Sequence, residues 1–158
     1  MTGDRRERQL DAILEALLPS PDQARVMATL WATVDADRAI RELRTDDEPF
    51  VQTLTDDALL GASVRLISPE QGAVIAVAEP NTEGRLAASL ARAGEGPVGR
   101  YVATTVPLPE VARRAAAAGI VLSRPADGPF GPSVLVLGGP SAGPHLILVE
   151  VAAGTIDR

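Results

Sequence analysis

The chain has 158 residues, 46% of them hydrophobic but only 3% aromatic, and it contains no cysteine. That length and apolar content are enough for one domain or two small packed modules, with a core built from Ala, Val, Leu and Ile. Disulfides, thiolate chemistry and cysteine-ligated zinc are excluded. A net charge of -6, with arginine as the only basic residue type and scattered along the chain, speaks against nucleic acid and anionic membrane as partners.

The start, MTGDRRERQL, has charges where a signal peptide needs an apolar run, and no window of 18 residues is free of Gly, Pro and charge. The reading is a soluble, cytoplasmic protein. Residues 5–18 place Leu10, Ile13, Leu14, Leu17 and Leu18 on one helical face, and Pro19 to Pro21 end the run. That stripe covers either the domain's own core or a dimer contact, so a homodimer stays open.

A strand is expected over Arg25 to Val34, then a helix capped by Asp35 and running through Leu43. Asp46, Asp47 and Glu48 read as a solvated turn. Strands follow at Phe50 to Leu54, Ala62 to Ile67 and Ala73 to Ala78, the last two joined by SPEQG. Asp56 and Asp57 read as capping residues for a helix. Asn81 to Ala93, with Leu86 and Leu90 four residues apart, reads as a linker helix stopped by Gly94, Gly96, Pro97 and Gly99. Gly94 to Gly99 fits G-x-G-x-x-G literally, but it follows a helix and precedes a strand, the reverse of a dinucleotide fingerprint.

The second half repeats the order: a strand over Arg100 to Val106, a helix over Pro109 to Ala118 closed by Gly119, and strands at Ile120 to Ser123, Ser133 to Leu137 and Leu146 to Val151. At an offset of 72, TVDADRAI falls on TVPLPEVA; at 74, Val74 to Ala78 falls by pattern on Leu148 to Ala152. The fold class is therefore α+β, with two tandem β-α-β-β-β modules forming a curled mixed sheet around a cleft, plus an extra N-terminal helix. The divisions expected are 1–24, helix and linker; 25–80, first module; 81–97, linker helix and turn; and 98–158, second module.

This order, with the pieces AVAEPNTEGRLAASLARAGEG, VARRAAAAGIVLSRP and HLILVEV, resembles the vicinal oxygen chelate (glyoxalase-like) superfamily, and most closely its methylmalonyl-CoA epimerase branch. The resemblance spans about residues 25 to 153. It implies a divalent metal in the cleft, held by one side chain from each of four strands. The four ligand positions carry over to Ala28, Ala76, Arg100 and Glu150, and the acidic base of the epimerases to the vicinity of Val64. Alanine cannot coordinate and a guanidinium repels a divalent ion, so the expectation is the fold without its metal, and no cofactor.

By alternation from those positions, the cleft face carries Ala28, Leu30, Val64, Leu66, Ala76, Arg100, Val102, Thr104, Leu148 and Glu150, an apolar cleft with one cation and one anion. His145, Trp31 and Tyr101 fall on the other face, His145 as a turn or surface residue and the two aromatics under the helices. Arg100 would orient a carboxylate, thioester or enolate oxygen, and Glu150 would act as acid or base in proton transfer next to a carbonyl. The ligand expected is a small molecule with an apolar part and a carboxylate or carbonyl. The alternatives are a non-catalytic binding protein that sequesters a small molecule, a purely structural dimer, and a filled barrel in which Arg100 and Glu150 merely pair.

Overall fold

The computed structural model describes residues 2–44, 54–68, 73–138 and 145–156. Helix α1 (Thr2–Leu17) leads into strand β1 (Ala24–Ala32) and helix α2 (Ala36–Leu43), followed by β2 (Leu54–Asp57), β3 (Ala62–Ile67) and β4 (Val74–Pro80). Helix α3 (Arg85–Ala93) links to β5 (Gly96–Thr104), helix α4 (Leu108–Ala118), β6 (Ala126–Gly128), β7 (Gly131–Leu135) and β8 (His145–Glu150). The β-α-β-β-β order holds in both halves, but the strand expected over Ile120 to Ser123 makes only a single bridge, Leu122 to Val136, and β6 forms at Ala126–Gly128 instead. Residues 45–53, which include Asp46 to Glu48 and most of the expected Phe50 strand, lie outside the described residues, as does most of SPEQG.

One eight-stranded sheet runs β2-β3-β4-β1-β5-β8-β7-β6. Each module contributes four strands, joined by the antiparallel β1–β5 pair at the centre, while β1 is parallel to β4 and β5 to β8. The parallel pairs follow from the helical crossovers α2 and α4. The sheet curls until its edge strands β2 and β6 pack against each other, leaving it nearly closed.

The curl defines two faces. The inner face is a single apolar cluster drawn from both modules: Ala28, Leu30 and Ala32 of β1, Ala62 and Val64 of β3, Ala76 and Ala78 of β4, Tyr101 of β5, Leu135 of β7, and Ile147 and Val149 of β8, with Leu86 of α3. On the outer face α2 packs on Ile67 and Val77, while α1 and α4 pack on Val102, Val134, Leu146 and Leu148. The α1 stripe is thus satisfied within the chain: Leu10, Leu17 and Leu18 are buried, and Arg114 donates to the Leu17 carbonyl at 2.9 Å.

Local signals act as their chemistry requires. Asp35 caps α2 by accepting from Arg38 N–H at 3.0 Å, and Gly119 ends α4 in the left-handed conformation. In the turn between α3 and β5, Glu95 gathers the Thr33 hydroxyl, the Val34 amide and the Arg38 guanidinium, at 2.8, 2.8 and 2.7 Å. The Arg38 hydrogen bond, then those two donors, hold the Glu95 carboxyl down at about 2. Gly99 is required by contact, since a Cβ there would stand 2.2 Å from the His145 carbonyl oxygen across the β5–β8 pair. The G-x-G-x-x-G glycines therefore serve the turn and this close approach.

Candidate functional site

The cleft was expected on the inner face, where the cluster residues form buried core. Ala28, Leu30, Val64 and Ala76 sit on it, fully buried, and Leu66 packs against them, as alternation along β1, β3 and β4 requires. In the second module the alternation is shifted by one. Arg100, Val102, Thr104, Leu148 and Glu150 lie toward the helices on the outer face, and Tyr101, Ile147 and Val149 take the inner positions. Arg100 and Glu150 do not meet in the cleft.

Their actual partners explain their residue types. Glu150 accepts from the Leu108 amide at 2.9 Å, capping the N-terminus of α4. Glu79 does the same for α2, accepting from the Ala36 amide at 2.8 Å. Thr33 and Thr104 are likewise matched, each accepting from the amide two residues on, in Asp35 and Val106. Thr33 and Glu79 precede Thr104 and Glu150 by 71 residues, so the structural repeat is 71, whereas offsets of 72 and 74 each exchange the two faces. Arg100 stands beside Asp11 of α1, at 3.7 Å, with its side chain 26% exposed.

Tyr101 reaches across the interior to the first module, its hydroxyl donating to Asp57 Oδ2 at 2.7 Å, while Asp57 Oδ1 accepts from the Leu59 and Leu60 amides. Asp57 caps a turn at the end of a strand, not a helix, and Tyr101 is an inner-face residue; both were expected elsewhere. Burial, then the charge of Asp57, pushes the Tyr101 hydroxyl well above the usual phenol range. Phe130 packs edge-on to the Tyr101 ring, with centroids 5.1 Å apart. His145 begins β8 and is buried rather than exposed at a turn, and its Nε2 has no hydrogen-bond partner among the described residues. Burial, and then the charge of Arg85, lowers its pKa. Trp31 is half-buried.

Among the described residues, the inner face presents no ligand set that fits a divalent metal. Ala28 and Ala76 stand at two of the positions carried over, and the inner-face neighbours of Arg100 and Glu150 are Tyr101, already bonded to Asp57, and Val149. Among the described residues no three His, Asp or Glu side chains converge.

Besides a groove of about 460 Å³ lined by Arg25, Ala153, Gly154 and Thr155, two more open among the described residues. One, of about 380 Å³, lies along α3 with Val34, Pro80 and Leu90 in its walls; its charged residue is Glu95, already occupied by three donors. The other, of about 330 Å³, lies on the outer face over the β1–β5 pair and is lined by Glu7, Val26, Thr29, Pro97, Gly99 and Arg100. Thr29 and Arg100 are direct cross-strand partners, so their side chains leave the sheet on the same side. Sequence reading named Arg100 as the recognition cation but missed its setting, because α1 supplies one wall.

By sequence, no family model and no curated protein matches the chain. By structure, a Streptomyces coelicolor methylmalonyl-CoA epimerase variant in complex with 2-nitronate-propionyl-CoA superposes with a TM-score of 0.68 at 18% identity, covering 83% of this chain and 99% of that one. The Mycobacterium tuberculosis methylmalonyl-CoA epimerase gives 0.66 at 20% identity, covering 84% and 91%. A hypothetical protein from Bacillus halodurans C-125 gives 0.66 at 13% identity, covering 84% and 97%. No helix among the described residues is long and apolar enough to cross a membrane. The chain has the vicinal oxygen chelate fold, in the form it shares with the methylmalonyl-CoA epimerases.

Proposed function

We propose that this glyoxalase-like protein binds a small carboxylate-bearing molecule without transforming it, at the outer groove over β1 and β5, with Arg100 as the recognition cation. The observation that carries this is the Thr29–Arg100 pair: a hydroxyl and a guanidinium on adjacent strands face one groove of about 330 Å³, a volume at the lower end of small-molecule sites. A planar guanidinium presents paired N–H donors that match a carboxylate, and the charged neighbour of Arg100, Asp11, is 3.7 Å away, beyond hydrogen-bond reach.

The isomerase reading draws support from the likeness in fold to epimerases. Proton transfer next to a carbonyl needs an acid or base free to reach the substrate carbon. On the inner face the candidate groups, Asp57 and Tyr101, are bonded to each other, and Glu150 is held by α4. Binding without turnover is therefore the better-supported reading.

The test has two arms. Small carboxylates titrated into isotopically labelled protein should shift the Thr29, Gly99 and Arg100 amide resonances, and Arg100→Gln should abolish the shifts. Methylmalonyl-CoA incubated with the protein in deuterium oxide should show no α-proton exchange above background. Catalysed exchange, or carboxylates that leave those amides unmoved, would overturn the proposal.

A further inference from the structure

The groove that holds Arg100 is lined by charge of both signs. Glu7 lines it, and Asp11, the charged neighbour of Arg100, stands one helical turn further along α1 on the same face. The floor of the site is thus a cation with a hydroxyl beside it, its helical wall presents the Glu7 carboxylate, with Asp11 next to Arg100 at 3.7 Å, and its remaining walls include the apolar Val26 and Pro97.

We infer that the ligand is a small zwitterion, carrying a carboxylate and an ammonium a few bonds apart with a short apolar substituent, as a free aliphatic amino acid does; this rests on the proposed binding at the groove. The carboxylate takes the N–H donors of Arg100 and the Thr29 hydroxyl in place of Asp11, and the ammonium takes Glu7. A simple anion would meet Arg100 only by coming up against Glu7 and Asp11. A simple cation would meet the two carboxylates only by coming up against Arg100. A molecule with both charges matches the groove, and mismatched charge is what discriminates among ligands at a partly desolvated site. Val26, 49% exposed, offers the apolar contact for the substituent.

The probes are leucine, 4-methylpentanoate, which keeps the carbon frame and the carboxylate without the ammonium, and leucinamide, which keeps the ammonium without the carboxylate. Each is titrated into the full chain, with dissociation constants read from the Thr29, Gly99 and Arg100 amide shifts. Leucine is expected to bind about tenfold or more tightly than either of the others, a difference within reach of one charge pair. Glu7→Gln, at an exposed position on α1, should bring leucine and 4-methylpentanoate to within about twofold of each other while the rest of the spectrum stays unchanged. If 4-methylpentanoate binds wild-type protein as tightly as leucine does, or Glu7→Gln leaves the ratio unaltered, the zwitterion inference fails and carboxylate binding at the groove stands. If none of the three probes moves these resonances, both fail.

Discussion

The Tyr101 hydroxyl lies 2.7 Å from Asp57 Oδ2, joining the central strand of one module to the edge strand of the other through the inside of the sheet. Both residues are almost wholly buried, and Asp57 also accepts two backbone amides. Tyr101→Phe removes one hydrogen bond to a carboxylate and should cost about 1.5 to 3 kcal/mol, whereas Asp57→Ala leaves a hydroxyl and two amides without partners and should cost about 2 to 4 kcal/mol. The two losses should not add, because each removes the same bond. Chemical denaturation of the two single variants and the double variant measures this; additive losses would show the bond to be incidental.

Burial of the same hydroxyl, and then the charge of Asp57 beside it, makes stability fall on the alkaline side. The Tyr101 hydroxyl is pushed above its ordinary value of 10.0, so the unfolded chain ionises first as pH rises. The contribution is intact below about pH 10 and is lost as pH climbs toward the folded value. Wild-type protein should therefore lose melting temperature above about pH 10 more steeply than Tyr101→Phe does. Parallel slopes would contradict the burial of this group.

Glu79 and Glu150 perform one task twice, each accepting the amide that opens the helix of its own module. Replacing either by alanine should cost about 0.5 to 2 kcal/mol, the range of a lost helix cap. The two effects should be alike and additive, since the caps share no partner. A far larger loss at Glu150 alone, or loss of ligand binding with the fold intact, would assign it a role beyond the cap.

The order of elements was legible because each carries its own local chemistry: Asp35 ahead of an amphipathic helix, Gly119 behind an alanine-rich one, Ala62, Val64 and Leu66 alternating with polar residues in β3. The face of the second module was not, because alternation is reliable only along an unbroken strand. The β1–β5 pairing shifts register twice, and Val98 and Tyr101, three residues apart, both belong to the inner cluster. Arg100 was itself placed one residue off the inner face, so counting twos from it stayed on the outer one. A repeat aligned on the shared Ala-Thr of residues 32–33 and 103–104, and on Glu79 and Glu150, would have given the offset of 71. The groove was illegible for another reason: Glu7 and Thr29 belong to a helix and a strand that sequence alone does not bring together.

His145 is the only histidine, so its imidazole gives a single titrating set of proton resonances. Burial and then the charge of Arg85 hold its pKa below 6.5, and the neutral ring is the folded form. As pH falls through about 6.5 the unfolded chain takes up the proton first, so this residue subtracts stability on the acid side and none at neutral pH. The midpoint in folded protein should lie below 6.5, and Arg85→Gln should raise it only part of the way back, since burial is the larger cause. A midpoint at or above 6.5 would contradict the enclosed position.

Helix α1 lies N-terminal to the span of the family resemblance, yet it is built into this fold. Leu10, Leu17 and Leu18 are each no more than 5% exposed, and they share one buried cluster with Val102, Leu146 and Leu148. Each such leucine contributes roughly 1.5 to 3 kcal/mol when fully buried, so deleting residues 2–18 removes stabilisation comparable to the whole stability of an ordinary domain. The truncated chain should unfold or associate through the bared outer face. The milder variant Leu17→Ala should remain folded and monodisperse while losing about 2 to 5 kcal/mol. Because Glu7 and Asp11 project from the same helix, Leu17→Ala should leave groove binding unchanged below its melting temperature, and the deletion should abolish it. Unchanged melting after deletion, checked by calorimetry and solution mass, would show α1 to be an appendage and would remove one wall of the groove with it.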